Sequence, residues 1–289
     1  MAIRTNRDHL VQISAIGEVT TAWYLPHTNW FISFEGEPRV VPNCGGVTYN
    51  VRVGHPLKDL VGDHIEPAVS MRNSDDNQNA ALNLLACVGN SARVVSGPAT
   101  GATGAVTGKH GGIEHVMVDF TPDVLEQLVP GDKIVVKTHG QGMQLLDFPD
   151  VKCMSIDPIF FDRWITEARD GRVVVPVTHR VPAGIMGSGL GANSAYRGDY
   201  DITLFDEAMV ARYQLDTLRM GDIVAIVDAD ASFGRYYLQG SVSIGIICHG
   251  DSTLSGHGPG VTGLLASRSG KIEPVIDPNA NIGTILGLI

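Results

Sequence analysis

The sequence predicts a mainly β protein, a β-rich α+β chain with barrel- or sandwich-like halves and a few short helices. Three observations predict it. Short runs rich in Val and Ile recur from end to end, most of them bounded by Gly, Pro or Asp. Glycine is abundant, at 34 of 289 residues, while charged residues make up only 18%, a pairing that favours many turns over long exposed helices. Helical patterning is confined to three stretches.

The strand candidates are residues 10–16, 47–53, 82–88, 115–120, 133–137, 172–177, 223–227, 241–248 and 263–267. The first helix candidate, 122–129, follows Thr121 as N-cap and places Pro122 in its first turn. The second, 157–169, has Pro158 at its start and Gly171 as its stop signal. The third, 206–218, carries an apolar stripe of Met209, Val210, Tyr213 and Leu218. Stretches 89–112, 184–198 and 255–263 are rich in Gly and small residues and read as loops, as does the polar 72–78. The apolar ending IGTILGLI reads as a buried last strand or a subunit contact, and a homo-oligomer is expected.

Two helix ends share one grammar. Gly131-Asp132 leads into 133–137, and Gly221-Asp222 leads into 223–227. In each, Gly supplies a turn conformation and Asp can bond the nearby backbone, launching the next strand at a fixed register. This is either a common turn device or the mark of two related halves, residues 1–145 and 146–289.

Charge and composition exclude several functions. The net charge is −10 and no basic run exists, so neither nucleic acid nor an anionic membrane is expected as a partner. Runs such as 223–227 and 244–248 are far too short to span a bilayer. The polar start MAIRTNRDHL has no apolar leader core, and a cytoplasmic protein is expected. Cys44, Cys87, Cys153 and Cys248 form no CxxC and no disulfide framework. Cys87 and Cys248 read as core residues, while Cys44, in PNCGG, is either an exposed thiol or structural. There is no P-loop, dinucleotide fingerprint, GxSxG elbow or HExxH, so no nucleotide cofactor is expected.

The candidate chemistry concentrates in the second half. Asp228 and Asp230 end one apolar strand, and His249 and Asp251 end the next. If those strands are neighbours, the two pairs meet, and carboxylates beside an imidazole can hold a divalent metal or exchange protons. The bland reading is turn chemistry at strand ends. His257, between glycines in SGHGPG, is a loop histidine open to a ligand or simply exposed. His64 and Glu66 are two apart, which on a strand puts both on one face as metal ligands; a surface ion network with Asp63 and Arg72 is the alternative. His110, Glu114 and His115 cluster in KHGGIEHV, and His139 follows the first Gly-Asp strand much as Asp228 follows the second.

Several stretches are similar to the prokaryotic domain-of-unknown-function family 4438: TNRDHLVQISAIGEV, GGVTYNVRVG with GDHIEPAVS, and GDIVAIVDADASFGR followed by SIGIICHGDSTLSGHGPGVT. The resemblance covers nearly the whole chain and implies an architecture rather than a reaction. GANSAYRGDYDIT, with Asn193 and Asp201, and MGDIVAIVDADASFG, with Gly221 and Asp222, distantly resemble the acetamidase/formamidase family, as do SGPATG and LVPGDKIVV.

The leading expectation is a hydrolase of a small amide, cyclic amide or related C–N bond, assisted by a divalent ion (Zn, Mg, Mn or Ca). Asp228 and His249, with Asp230, Asp251, His64 or Glu66, would hold the metal or activate water, and His257 and Arg235 would face the developing oxyanion. The alternatives are a cyclophilin-like module that binds a small molecule without turnover, and an acid/base isomerase or lyase using the same residues.

Overall fold

In the computed structural model, residues 3–24, 30–165, 167–189 and 194–289 are described. The first half contributes strands β1 (Ile13–Val19), β2 (Phe31–Ile32), β3 (Pro38–Arg39), β4 (Val47–Thr48), β5 (Ala68–Arg72), β6 (Ser91–Val94), β7 (Thr103–His110), β8 (His115–Asp119) and β9 (Lys133–Thr138), with helices α1 (Asp76–Leu85) and α2 (Pro122–Leu125). The second half contributes β10 (Lys152–Cys153), β11 (Glu167–Arg169), β12 (Arg172–Val177), β13 (His179–Pro182), β14 (Asp199–Asp201), β15 (Ile223–Asp230), β16 (Tyr236–His249), β17 (Gly260–Ser267) and β18 (Ile272–Ile276), with α3 (Pro158–Trp164), α4 (Glu207–Tyr213) and α5 (Ile282–Leu286).

The first sheet runs β1-β9-β6-β7-β8-β5-β4, and β1 also pairs with β5. Six strands therefore close into a barrel, which leaves them no free edge. Its interior is filled by Val69, Met71, Val106, Val118, Ile134 and Val136, with Leu82 of α1 packed onto it. The second half builds an open sheet, β10-β17-β16-β15-β13, with β14 pairing the start of β17 along the same edge as β10, and a separate small sheet, β11-β12-β18. The expectation of a β-rich chain with few short helices holds.

Gly131-Asp132 and Gly221-Asp222 form the same hydrogen-bonded device. Asp132 accepts from Val129 N at 3.1 Å and Asp222 from Arg219 N at 3.0 Å, so each carboxylate reaches back three residues. Both glycines have positive φ, +94° and +78°. Each device also holds the end of a neighbouring strand: Gly131 N donates to Val19 O as Val19 N donates to Asp132 O, and Gly221 N and Asp222 O repeat this with Ile247. The pair β9/β1 in one half thus corresponds to β15/β16 in the other.

Several local expectations are corrected. Of residues 82–88, the first four end helix α1, because Asp75 caps it by accepting from Gln78 N at 2.9 Å and the helix lays Leu82 on the barrel; only Val88 bridges to another segment, at Ile156. The supposed loop 89–112 contains β6 and β7; its small residues serve close strand packing, since a Cβ on Gly108 would lie 2.4 Å from the Cβ of Cys248. The helix expected at 157–169 stops at Trp164, where Ile165 turns extended, and 167–169 pairs with β12 instead. The helix expected at 206–218 breaks at Gln214, whose φ is +57°. The C-terminus forms the helix α5, capped by Asn281 and ended by Gly287, with Ile282 in the core, rather than a final strand. All four cysteines are free and buried, which settles Cys44 as an interior thiol.

Candidate functional site

The close approach at Gly108 is what assembles the site. Strand β7 of the barrel lies against β16 and β17, fixed by Lys109 N donating to Thr262 Oγ1 at 2.9 Å and Thr262 Oγ1 donating to Lys109 O at 3.0 Å. One residue beyond this contact, His110 lies beside His249, their ring centres 4.2 Å apart. The chain after β4 brings His64 to the same place, 5.0 Å from His249 and 5.1 Å from His257 between ring centres. Strand β14 adds Asp199 and Asp201, whose two-residue spacing points both at these rings.

His64 has φ of +51°, a left-handed conformation uncommon outside glycine. Its Nδ1–H donates to Asp63 Oδ1 at 2.5 Å. Asp63 is fully buried and also accepts from Thr253 N at 2.9 Å and from the hydroxyls of Thr253 and Ser252. With Nδ1 anchored as a donor to Asp63, Nε2 is the nitrogen turned to the rest of the cluster. It lies 3.3 Å from His257 Nδ1 and 3.7 Å from Asp201 Oδ2, while His257 Nδ1 and Asp201 Oδ2 are 3.1 Å apart. Burial works against a charge on His64, but the hydrogen bonds and charges of Asp201 and Asp63 outweigh it and raise its pKa to about 10. Burial likewise opposes the Asp201 carboxylate, and the bonds from His257 and His64 overcome it and hold its pKa below the usual range.

Behind this triangle lies a second constellation. Glu66 is buried and takes His110 Nδ1–H at 2.6 Å, His115 Nδ1–H at 2.9 Å and Gly45 N at 3.0 Å, with the Ser70 hydroxyl as a further donor. Burial raises the Glu66 pKa, but His115 and His110 together force it well below the ordinary carboxylate value. His110 is pulled the other way, by burial first and by the charge of His249 second, towards the neutral ring. Deeper still, His249 donates Nδ1–H to Gly250 O at 2.9 Å and presents Nε2 to Asp199 Oδ2 at 2.9 Å.

The cluster opens on a cleft of about 270 Å³ lined by His64, His110, His257 and Asp63, with Trp23, Phe31, Ile113 and Leu254 as its apolar wall. That is near the small end of ligand sites. Among the described residues that line it there is no Lys or Arg.

The structure thus gathers His64, Glu66, His249 and His257 from the expected set, keeps Asp251 beside them, and separates Asp228, Asp230 and Arg235. Asp228 and Asp230 sit at the far end of the β15/β16 pairing, where Asp230 faces Tyr236 while His249 ends β16. Asp228, at a bulge with φ of +61°, accepts from Gly240 N at 2.7 Å. Asp230 is paired with Arg268 at 3.0 Å, and Arg235 donates to Met186 O at 2.5 Å. The two strands are indeed neighbours, but antiparallel pairing sends their C-terminal ends to opposite edges. Asp251 stays near the cluster, yet its carboxylate accepts from Ser252 N at 2.8 Å within its own loop, and burial raises its pKa to about 6. His64 and Glu66 are not on a strand, and Asp63 and Glu66 are buried, so the surface network with Arg72 does not exist. His139 lies elsewhere, 4.0 Å from Asp157.

Asp63, Asp199 and Asp201 were missing from the expected metal and catalytic set. Asp199 and Asp201 carry the same D-x-D spacing as Asp228 and Asp230, and no signal in the chain distinguishes the pair that meets histidines.

The model of the domain of unknown function DUF4438, N-terminal, matches residues 30–162, and that of DUF4438, C-terminal, matches residues 163–286. The chain belongs to the DUF4438 family. This DUF4438 chain is also similar to the crystal structure of TM1086, with 43% identity over 98% of this chain and 99% of that one and a TM-score of 0.93. Among curated proteins nothing matches. These matches give no support to the expected likeness to acetamidases and formamidases. Of the residues that carried it, Asn193 lies outside those described, and Asp222 is engaged with Arg219 in the turn before β15. No helix among the described residues is long and apolar enough to cross a membrane.

Proposed function

We propose that this DUF4438 chain is a metal-assisted hydrolase of a small, uncharged molecule, with an amide or cyclic amide as the substrate class. One observation carries the reading: His64 Nε2, His257 Nδ1 and Asp201 Oδ2 converge with mutual separations of 3.1 to 3.7 Å. Ligands bound at about 2.0–2.1 Å around one ion lie about 3.0 to 3.4 Å apart, so only small adjustments are needed to seat Zn or a similar ion. Two imidazoles and one carboxylate would leave further coordination positions for water or substrate, and His64 and His257 both line the cleft. Asp63 supports the set as an outer partner, fixing the His64 tautomer so that its lone pair points inward.

The ion would polarise a carbonyl and acidify a water. This chain's own residues would do the rest. His110, its Nδ1 occupied by Glu66, has Nε2 left to take a proton from the attacking water and return it to the leaving nitrogen. The apolar wall of Trp23, Phe31, Ile113 and Leu254 would hold an uncharged substrate and exclude bulk water. The test is a panel of small amides, lactams and cyclic imides, assayed with Zn-, Mn- or Co-loaded protein. Turnover that disappears in His257→Ala and Asp201→Asn supports the reading; turnover unaffected by both refutes it.

The Glu66-supported His110 also favours a second reading, an acid/base isomerase or lyase without metal, which full activity in chelator-treated protein would reveal. Self-association is part of the proposal as well: Phe233, Tyr236 and Tyr237 stand exposed together around one hairpin. Light scattering on the purified chain decides it, a monomeric mass counting against it.

A further inference from the structure

We infer that the site holds two divalent cations, the second bound by His249 and Asp199 and joined to the first through the carboxylate of Asp201. This rests on the metal reading proposed above for His64, His257 and Asp201.

The tautomer of His249 is the starting point. Its Nδ1 faces the Gly250 carbonyl at 2.9 Å, and a carbonyl only accepts, so Nδ1 carries hydrogen. Nε2 then faces Asp199 Oδ2 at 2.9 Å and Asp201 Oδ1 at 3.8 Å. A lone pair aimed at two carboxylates is repelled, and something positive has to lie between them: a proton or a metal ion. His64 repeats the arrangement, with Nδ1–H given to Asp63 and Nε2 turned towards Asp201. The two oxygens of Asp201 divide accordingly, Oδ2 towards His64 and His257, Oδ1 towards His249. A carboxylate that splits its oxygens between two imidazole sets is placed to bridge two ions, which in such centres lie about 3.5–4 Å apart.

Charge points the same way. Asp63, Glu66, Asp199 and Asp201 are all buried, and among the described residues their ion-pair partners are histidines, never Lys or Arg. Two divalent cations would offset four carboxylates while leaving the imidazoles neutral, as ligation requires. The remaining oxygen of Asp199 is already fixed, accepting from Gly111 N at 2.6 Å, so Oδ2 is held in place for the second ion. Gly260 keeps the space beside it free: a Cβ there would come within 2.2 Å of His249 Nε2 and 2.3 Å of Asp199 Oδ2. A second ion would add a further positive charge for the attacking water and the developing oxyanion of a carbonyl addition, which is compatible with the proposed hydrolysis.

The experiment is a titration of the chelator-treated full-length protein with Mn(II), read by equilibrium stoichiometry and by electron paramagnetic resonance. Two equivalents per chain with the exchange-coupled spectrum of a close Mn pair are expected. His249→Gln and Asp199→Asn should each reduce the stoichiometry to one and remove the coupling. One equivalent in the wild-type protein, or two without coupling, overturns the paired site. In the one-equivalent case, retention of that ion by His249→Gln leaves the His64 site standing; no binding to the wild-type protein defeats both readings. The coupling is read on the unmodified chain, so the test stands even where a variant fails to fold.

Discussion

The carboxylate of Asp63 grips Nδ1 of His64, its immediate neighbour in sequence, at 2.5 Å, so a residue outside the proposed ligand set decides which nitrogen of His64 faces the cleft. Asp63→Asn keeps the size and the contacts to Thr253 but removes the charge that fixes the ring. Loss of such an outer partner typically weakens metal binding about 10- to 100-fold. Competition with a chromophoric chelator measures it; unchanged affinity would mean that the ring is oriented by packing alone.

The raised pKa of His64 makes metal-free stability depend on pH. The ordinary value is 6.5 and the folded value about 10, so its contribution is fully present below about 6.5 and is lost as pH rises through about 10. The same proton is the ion's competitor. Thermal melting of chelated protein should therefore fall from pH 7 to 10, the fall should be smaller in His64→Ala, and metal uptake near pH 8 should release protons, seen as a buffer-dependent heat of binding.

Lys109 gives a contribution of opposite sign. It is fully buried, donates to Ser155 Oγ at 2.9 Å and to Tyr196 O at 2.6 Å, and burial lowers its pKa to about 8. Its cost is fully present below about 8 and is relieved as pH rises towards 10.5. Lys109→Met, with Ser155 left to bond Tyr196, should therefore gain most over the wild type at neutral pH, and the difference should shrink between pH 8 and 10.5 in urea melts.

Gly108→Ala should separate β7 from β16, because the added methyl would meet Cys248 at 2.4 Å. Overpacking of this kind costs about 1–3 kcal/mol, and it should also weaken metal binding. Gly104→Ala is the control: its methyl would clash inside the barrel, 2.2 Å from Asp119 O, and should cost stability without changing metal affinity.

Asp228→Asn and Arg235→Ala should leave metal content and any turnover unchanged, with stability within about 0.5 kcal/mol of the parent, as for ordinary surface changes. Reduced metal content in either would show that the far end of the hairpin communicates with the cleft.

Much of the architecture was readable from local pattern. Runs such as Ile223–Asp230 announce themselves by Val and Ile, and the Gly-Asp turns by residues with few other conformational uses. The strand β7 was not readable, because its glycines serve a contact 140 residues away, with Cys248, and look like loop composition when seen alone. The site was half readable for the same reason. His249 and His257 sit in conspicuous glycine-rich sequence, but whether Asp201 or Asp228 reaches them depends on strand direction and on β14 pairing with β17, neither of which is written in neighbouring residues.

His64, Glu66 and His110 come from the barrel, whereas Asp199, Asp201, His249 and His257 come from the open sheet. Neither segment holds the proposed site by itself, so neither is expected to carry it when moved alone into another protein. An ion seated there would also rivet the two together: the loaded chain should melt in one transition, and the stripped chain should come apart in stages.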